Sequence, residues 1–251
     1  MQRLEEFIND VSNKNIFSYE HYKSLPLNKK MEIINLLNEY YKLKYNMELK
    51  KITVYIDCDG VLLDTIGYSK KLLFEQYGIN YDTHDRCDVE ADRKVGEFFK
   101  NLNWIKVLQE SPEINNSKKF MRLFKNSNLY NPIIYTSVSS LCEKKAKKEM
   151  FSQELNEIDF LFGEAKHPKE CNDGQSILVD DDDFNLRYWN GMPIRFISNR
   201  PTIFPTIEDL GEIYYLFSIN EQSMNFNIPN IYDEYKQVMC PNAKRLEWIK
   251  K

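Results

Sequence analysis

The sequence predicts an α/β protein built on a doubly wound parallel sheet, and three observations point to that class. Five short apolar runs, rich in β-branched and aromatic residues, are spread between residues 52 and 197. Helical patterns separate most of these runs, and polar or acidic residues directly follow three of them. Strands that alternate with helices form βαβ units, and ligands collect at the carboxyl ends of their strands.

Ahead of the sheet, residues 1–50 are predicted to form an N-terminal helical extension. Apolar residues at positions 4, 7, 8 and 11 have helical spacing, and so does a second set between 31 and 41. Pro26 and Asn28 are typical of a helix start, and we take Asn28 as the cap of the second helix. The extension carries no recognisable chemistry, so it could cover the sheet, dock a partner or form a dimer.

The five apolar runs are the predicted strands, and they lie at 52–56, 133–135, 160–162, 177–179 and 194–197. Continuous apolar runs without alternation suit strands that are buried on both faces of a parallel sheet. Helices are predicted at about 140–153 and 184–190, and Gly191 is the expected stop of the second.

The stretch 66–131 is too long for one crossover, so it is predicted to hold a small helical insertion at about 66–105 and a helix that covers the sheet. We therefore expect a catalytic core at 51–204 that contains this insertion. A mostly helical segment is expected at 205–251, and its clearest helix is "IEDLGEIYYLF".

Composition excludes several classes of protein. The 251 residues carry a net charge of −4, which is unlike the basic footprint of a general nucleic-acid binder. The five cysteines form no CxxC pair and only three histidines are present, which argues against a disulfide framework or a structural zinc site. The start "MQRLEEFINDV" does not resemble a signal peptide, and no apolar stretch is long enough to span a bilayer. We expect a cytoplasmic protein with no membrane partner.

The residues that follow the strands carry the predicted chemistry. The first strand ends in Asp57, Cys58, Asp59 and Gly60, the second ends in Thr136 and Ser137, and the fourth runs into four aspartates in "ILVDDDDFN". Carboxylates packed this closely repel one another. An exposed turn would tolerate them, and so would a bound cation. Because parallel strands bring these ends to one edge, the sequence favours a hard, oxygen-liganded ion such as Mg²⁺.

These motifs resemble the haloacid dehalogenase-like superfamily. "VYIDCDGVLLDT" is similar to its first motif, "IIYTS" to its second and "ILVDDDD" to its acidic fourth, in the same order along the chain. The resemblance covers about residues 50–200 and implies a Rossmann-like phosphatase. It implies that Asp57 attacks phosphorus to form an aspartyl-phosphate and that Asp59 serves as general acid and base. Cys58 between them is expected to point the other way and pack in the core.

The resemblance also assigns the remaining site residues. Thr136 would hydrogen-bond the phosphoryl oxygens, with help from Ser137. Asp180 would bind Mg²⁺ together with Asp57 and the backbone carbonyl of Asp59, and Asp181 would support it. Asp182 and Asp183 could simply begin the next helix, where acids suit the positive end of the helix dipole.

A lysine is also implied, which would neutralise charge on the phosphoryl group. Two candidates, Lys166 and Lys169, precede the acidic motif, and we favour Lys169 because its spacing to Asp180 is closer to that of the family.

Within the superfamily, the sequence is most similar in look to the 5'(3')-deoxyribonucleotidase-like group. In that group a small helical insertion caps the site, so Phe98, Phe99 and Trp104 are candidates for stacking on a nucleobase, although core packing explains them at least as well. The predicted partner is a small phosphorylated substrate, and this resemblance implies a nucleotide.

Three functions remain open from the sequence. The first is Mg²⁺-dependent hydrolysis of a nucleotide or a similar small phosphate. The second is dephosphorylation of a macromolecule, such as a polynucleotide 3'-end or a phosphoprotein. For this function "KKAKK" at 144–148 is the one candidate basic surface, and a solvated helix face explains that stretch equally well. The third is a binding or regulatory protein that keeps the fold without turnover, and the intact Asp57 and Asp59 pair argues against it.

Overall fold

The structure, a computed structural model, describes residues 24–44, 51–127, 130–164, 169, 176–197, 202 and 204–213. In this part of the chain six strands form one sheet. They are β1 (Ile52–Ile56), β2 (Tyr130–Val138), β3 (Asp159–Glu164), β4 (Ile177–Asp180), β5 (Met192–Phe196) and β6 (Thr206–Ile207). Their order is β3-β2-β1-β4-β5-β6, and every neighbouring pair is parallel. The predicted doubly wound parallel sheet is confirmed.

Strand register sets the position of the polar strand ends. Ile56 of β1 pairs with Ile134 on one side and with Val179 on the other. The strand order reverses at β1, and such a switch point opens a crevice at the carboxyl edge of the sheet. Asp57 directly follows β1, Thr136 lies near the end of β2 and Asp180 is the last residue of β4, so all three lie at this crevice.

Seven helices are described. They are α1 (Leu27–Lys44), α2 (Thr65–Tyr77), α3 (Val89–Lys100), α4 (Trp104–Glu110), α5 (Ser117–Lys125), α6 (Leu141–Glu154) and α7 (Asp183–Tyr188). Side-chain caps define several of their starts. The carboxylate of Asp64 accepts from Gly67 N at 2.9 Å, and Ser140 Oγ accepts from Glu143 N at 3.1 Å.

The helix α1 belongs to the main core. Its Ile34 is fully buried and packs with the core-facing side chains of β1, of β2 and of α5 and α6. Lys30 of α1 also forms a buried ion pair with Asp209, at 2.7 Å. The described part of the extension therefore packs on the main core. The predicted helix around residues 4–11 lies outside the described residues.

Two local predictions were wrong. Asn28 does not cap α1, because the helix begins at Leu27 and the carbonyl of Pro26 accepts from Lys29 N and Lys30 N. Gly191 does not end α7, whose C-cap is Trp189.

Gly191 is required for a different reason, since a Cβ there would lie 2.0 Å from the carbonyl oxygen of Ser176. The helix predicted at 207–217 starts later than expected, because Ile207 belongs to the short strand β6 and the helical residues begin at 211. The rest of that stretch beyond residue 213 lies outside the described residues.

The segment between β1 and α5 contains a small core of its own. Leu73 of α2 packs against Val95 and Phe98 of α3. The chain enters and leaves this segment through adjacent backbone positions. Asp64 N donates to Pro112 O at 2.9 Å, and Ile114 N donates to Leu62 O at 3.0 Å. None of the described helices has both the length and the apolar character needed to cross a bilayer.

Candidate active site

Three carboxylates from two strand ends meet in the crevice. Oxygens of Asp57, Asp180 and Asp181 lie within 4.8 Å of one another. Asp57 and Asp180 are buried, and Asp57 N is held by a 2.9 Å hydrogen bond to Val179 O. The four-acid run is therefore not an exposed turn at its first two positions.

Lys169 lies between two of these acids. Its Nζ is 2.6 Å from Asp57 Oδ1 and 2.7 Å from Asp180 Oδ2, and its side chain is 1% exposed. Asn185 of α7 supports the arrangement, because its Nδ2 donates to Asp180 Oδ2 at 3.0 Å and its Oδ1 accepts from Lys169 N at 3.3 Å. Lys166, the other candidate, lies outside the described residues.

Asp59 is held by donors on both carboxylate oxygens. Oδ1 accepts from Thr65 Oγ1 at 2.7 Å, and Oδ2 faces Lys147 Nζ in a close ion pair and Thr136 Oγ1 at 3.4 Å. Thr65 comes from the first turn of α2, directly after Asp64, its N-cap. Asp59, after β1, and Thr136, near the end of β2, are thus in contact.

Lys147 was missed by the sequence analysis. It sits on α6, is 0% exposed, and its Nζ also lies 2.8 Å from Glu143 Oε1. The interpretation of "KKAKK" as a solvated face is wrong for this residue. Glu143, Lys147 and Phe151 form one buried stripe at helical spacing, but only Phe151 of the three is apolar, so the spacing did not mark Lys147 as buried.

The two lysines approach from opposite faces of the sheet. Lys169 Nζ lies 5.6 Å from the ring centroid of Tyr135, and Lys147 Nζ bonds the hydroxyl of Thr136 at 2.9 Å. Neighbouring residues of a strand point to opposite faces. Each lysine is therefore nearest to a different aspartate of the first motif, Lys169 to Asp57 and Lys147 to Asp59.

Burial disfavours the charged forms of the carboxylates in the crevice. It raises the pKa of Asp57 to about 7, helped by Asp180 and Asp59 and opposed by Lys169. Burial likewise raises the pKa of Asp181 to about 8, with Asp57 and Asp180 as further causes. For Lys147 and Lys169, burial disfavours the charge, but the neighbouring carboxylates outweigh it and raise the pKa of both amines. More negative charge is gathered here than two lysines can balance.

These residues fit a divalent cation. Three carboxylates with oxygens within 4.8 Å of one another offer hard oxygen ligands of the kind that Mg²⁺ prefers. Burial and the neighbouring carboxylates raise the pKa values of Asp57 and Asp181, and a cation among these acids would favour their charged forms.

The other predicted site residues are placed less centrally. Ser137 is half-buried and offers its carbonyl oxygen to Lys147 Nζ at 3.1 Å. Asp182 caps α7 by accepting from Phe184 N at 2.9 Å, and Asp183 pairs with Arg195 at 2.9 Å, so both serve the start of that helix. Cys58 is fully buried in the main core, which confirms its predicted packing role.

The three candidate stacking aromatics differ in setting. Phe98 is buried in the small core between α2 and α3, and Phe99 lies edge-on to it at 5.2 Å while remaining 36% exposed. Trp104 packs on the main core, and its ring centroid lies 5.5 Å from Lys147 Nζ. Trp104 is therefore beside the site residues, whereas Phe98 is committed to packing.

No protein-family model matches the sequence, and no curated protein matches it. Among solved structures, the chain is similar to a HAD-superfamily hydrolase of subfamily IA, variant 1, from Geobacter sulfurreducens PCA. The two share 15% sequence identity with a TM-score of 0.47, and the match covers 67% of this chain and 100% of that one. A likeness of this size decides neither family nor activity, so the interpretation below rests on the residues and their geometry.

Proposed function

We propose that the chain is a Mg²⁺-dependent phosphomonoester hydrolase of the haloacid dehalogenase-like type. The observation that carries the proposal is the position of Lys169, 2.6 Å from Asp57 and 2.7 Å from Asp180. A carboxylate can attack a phosphate dianion only if positive charge offsets their repulsion. Lys169 supplies such charge at the nucleophile, and the third carboxylate, Asp181, completes a cation site beside it.

The chain's own residues can divide the reaction into two steps. A carboxylate oxygen of Asp57 attacks phosphorus, the ester P–O bond breaks, and the leaving oxygen takes a proton from Asp59. Asp59, now a carboxylate, takes a proton from water, whose oxygen attacks phosphorus and frees Asp57 and inorganic phosphate. Thr65 Oγ1, 2.7 Å from Asp59 Oδ1, holds that side chain in place for both proton transfers.

The cation would be held by Asp57, Asp180 and Asp181, with the backbone carbonyl of Asp59 as a further candidate ligand. When bound, it supplies charge that stabilises the negative oxygens of the phosphoryl group. Asn185 and Lys169 both contact Asp180 Oδ2, at 3.0 and 2.7 Å, and so fix the orientation of this ligand.

The substrate that we propose is a nucleoside monophosphate or a similar small phosphate. Support comes from the resemblance of the motifs to the deoxyribonucleotidase-like group and from Trp104, an aromatic ring beside Lys147. "KKAKK" supports a macromolecular substrate less than its sequence suggests, because Lys147 of that stretch is buried inside the site.

Phosphate release should be measured on ribo- and deoxynucleoside monophosphates and on an aryl phosphate, with Mg²⁺ and with EDTA. Asp57→Asn should abolish turnover. The matched control is Asp182→Asn, which alters an exposed acid of the same run and keeps a good helix cap. Metal-dependent turnover that survives in the control and disappears in Asp57→Asn supports the mechanism.

Turnover of the aryl phosphate but of no nucleotide would keep the chemistry and reject the nucleotide substrate. Turnover that persists in Asp57→Asn, or that is absent from every substrate with Mg²⁺ bound, would refute the proposed function.

A further inference from the structure

The ammonium group of Lys147 contacts more hydrogen-bond acceptors than it has protons to donate. Its Nζ lies 2.9 Å from Thr136 Oγ1, 3.1 Å from Ser137 O and 2.8 Å from Glu143 Oε1, in addition to the close pair with Asp59. An ammonium group has three protons to donate. Full burial excludes exchange with solvent, so the four acceptors share one cation whose position is tightly determined.

The contact with Thr136 restricts what that hydroxyl can do. A hydroxyl has one proton and accepts through its oxygen, and here Lys147 donates to the oxygen. The acceptors near the hydroxyl proton are Ser137 O at 3.3 Å and Asp59 Oδ2 at 3.4 Å. Hydrogen bonds between oxygens are normally about 2.7–2.8 Å long, so both contacts are weak. The hydroxyl oxygen of Thr136 thus already accepts a hydrogen bond, while the hydroxyl proton is donated only weakly.

We propose that Lys147, anchored by Glu143, is a positioning residue that makes Thr136 an obligatory hydrogen-bond donor to the phosphoryl group of the substrate. This inference rests on the proposed phosphatase function and deepens it. A hydroxyl that could rotate freely would also offer a lone pair to the phosphoryl oxygens, which would repel them. Donation by Lys147 removes that alternative before substrate arrives, and preorganised donors of this kind stabilise developing negative charge.

Glu143 is what keeps Lys147 in this position. Its Oε2 accepts from Ser139 N and from Ser139 Oγ, both at 2.7 Å, while Oε1 takes Lys147. The carboxylate is therefore tied to the segment that joins β2 to α6. Since Ser139 lies three residues after Thr136, the anchor and the hydroxyl that it serves are part of one short stretch of chain.

The test is a double-mutant cycle on turnover of an aryl phosphate. Lys147→Met and Thr136→Val should each lower kcat/KM by roughly 10²-fold, the size of effect known for loss of one preorganised donor. If Lys147 acts through Thr136, the double variant should lose little more than either single variant. Lys148→Met is the matched control, because Lys148 is next to Lys147 on the same helix but its side chain is exposed. This control variant should behave as wild type.

Losses that multiply to roughly 10⁴-fold in the double variant would show that the two residues act independently, and would overturn the inference. Wild-type activity in Lys147→Met would overturn it as well. Because removal of one partner of a buried ion pair is strongly destabilising, the fold of Lys147→Met is checked first. If Lys147→Met does not fold, Glu143→Gln replaces it in the same cycle and must show the same non-additivity with Thr136→Val.

Calorimetric binding of inorganic phosphate separates this inference from the proposed function. Absence of turnover in wild type and in Lys148→Met would defeat the proposed function, and binding would still decide the inference. Equal weakening of phosphate binding in Lys147→Met and Thr136→Val, with none in Lys148→Met, supports it. Unchanged binding in Lys147→Met, or no phosphate binding by wild type with Mg²⁺ present, rejects it.

Discussion

A Cβ atom on Gly60 would lie 2.3 Å from a carboxylate oxygen of Asp181. The backbone of Gly60 also has a φ of +79°, in the left-handed region that other residues rarely adopt. The backbone of the turn after β1 therefore lies directly against the carboxylate of Asp181, which follows β4. This contact joins the two strand ends that form the candidate cation site.

Gly60→Ala is expected to displace Asp181 and to weaken Mg²⁺ binding, in addition to a backbone cost of about 1–2 kcal/mol. Gly78→Ala is the control, because Gly78 has a φ of +67° with open space around its Cβ position. Both variants should lose stability in urea denaturation, and Mg²⁺ should restore less of it in Gly60→Ala. Equal responses of the two variants to Mg²⁺ would contradict the role given to the Asp181 contact.

Lys169→Met should destabilise the protein and abolish turnover, because it leaves Asp57 and Asp180 buried without their shared counterion. Removing one partner of a buried ion pair typically costs about 3–5 kcal/mol. Adding Asp180→Asn should recover part of this stability, since it removes one of the two repelling charges, but it should not recover activity. Urea denaturation and phosphate release measure the two effects, and a double variant less stable than Lys169→Met would argue against the explanation.

Without metal, the protein should become less stable as the pH rises through neutrality. The pKa of Asp57 is raised from 3.8 to about 7, and that of Asp181 from 3.8 to about 8. Between the unfolded and folded pKa values the folded state binds more protons, so these two groups stabilise it fully below pH 3.8 and lose that effect as the pH passes 7 to 8.

Mg²⁺ should reverse this trend, because it binds the ionised carboxylates. Thermal denaturation at pH 6 and pH 8.5, with Mg²⁺ and with EDTA, checks the prediction, and the gain from Mg²⁺ should be larger at the higher pH. Asp181→Asn should flatten the dependence in EDTA. A gain from Mg²⁺ that is the same at both pH values would show that these carboxylates do not control binding.

The ion pair between Lys30 and Asp209 should anchor α1 to the segment after β6. Asp209→Asn is expected to cost about 3 kcal/mol in urea denaturation, because the pair is buried at 2.7 Å. Lys29→Met is the matched control, since Lys29 and Glu32 form an exposed pair at 2.9 Å that should contribute less than about 1 kcal/mol. Similar losses in the two variants would mean that burial adds nothing to the Lys30 pair.

The sheet and the acidic cluster were predictable because each depends on short-range patterns. A β-branched run such as residues 52–56 marks a strand by itself, and parallel pairing then places Asp57 and Asp180 at one edge. Two-residue β6 was missed because a strand so short shows no periodicity. The strand predicted at 160–162 is correct, but β3 lies at the sheet edge and is partly exposed rather than buried on both faces.

The residues that support the cluster could not be predicted in the same way. Lys147, Asn185 and Thr65 come from helices, and their contacts depend on how each helix packs against the strand ends. The charges of "KKAKK" suggested a helix face exposed to solvent. In the structure, Lys147 of that stretch is buried on the same helical stripe as Glu143 and Phe151. Composition and spacing thus predict the acids, and only packing reveals which cations balance them.

The backbone hydrogen bond between Asp64 and Pro112 closes the segment between β1 and α5 into an insertion. Backbone hydrogen bonds join the two ends of this segment, so the chain leaves and re-enters the main core at neighbouring positions. The entropy of closing a loop grows only slowly with loop length, so the part around α3, which packs in the small separate core, can lengthen, shorten or change shape at small cost to the main core. Divergence of such a protein towards new substrates would therefore be concentrated there, with Asp57, Thr136 and Asp180 left in place.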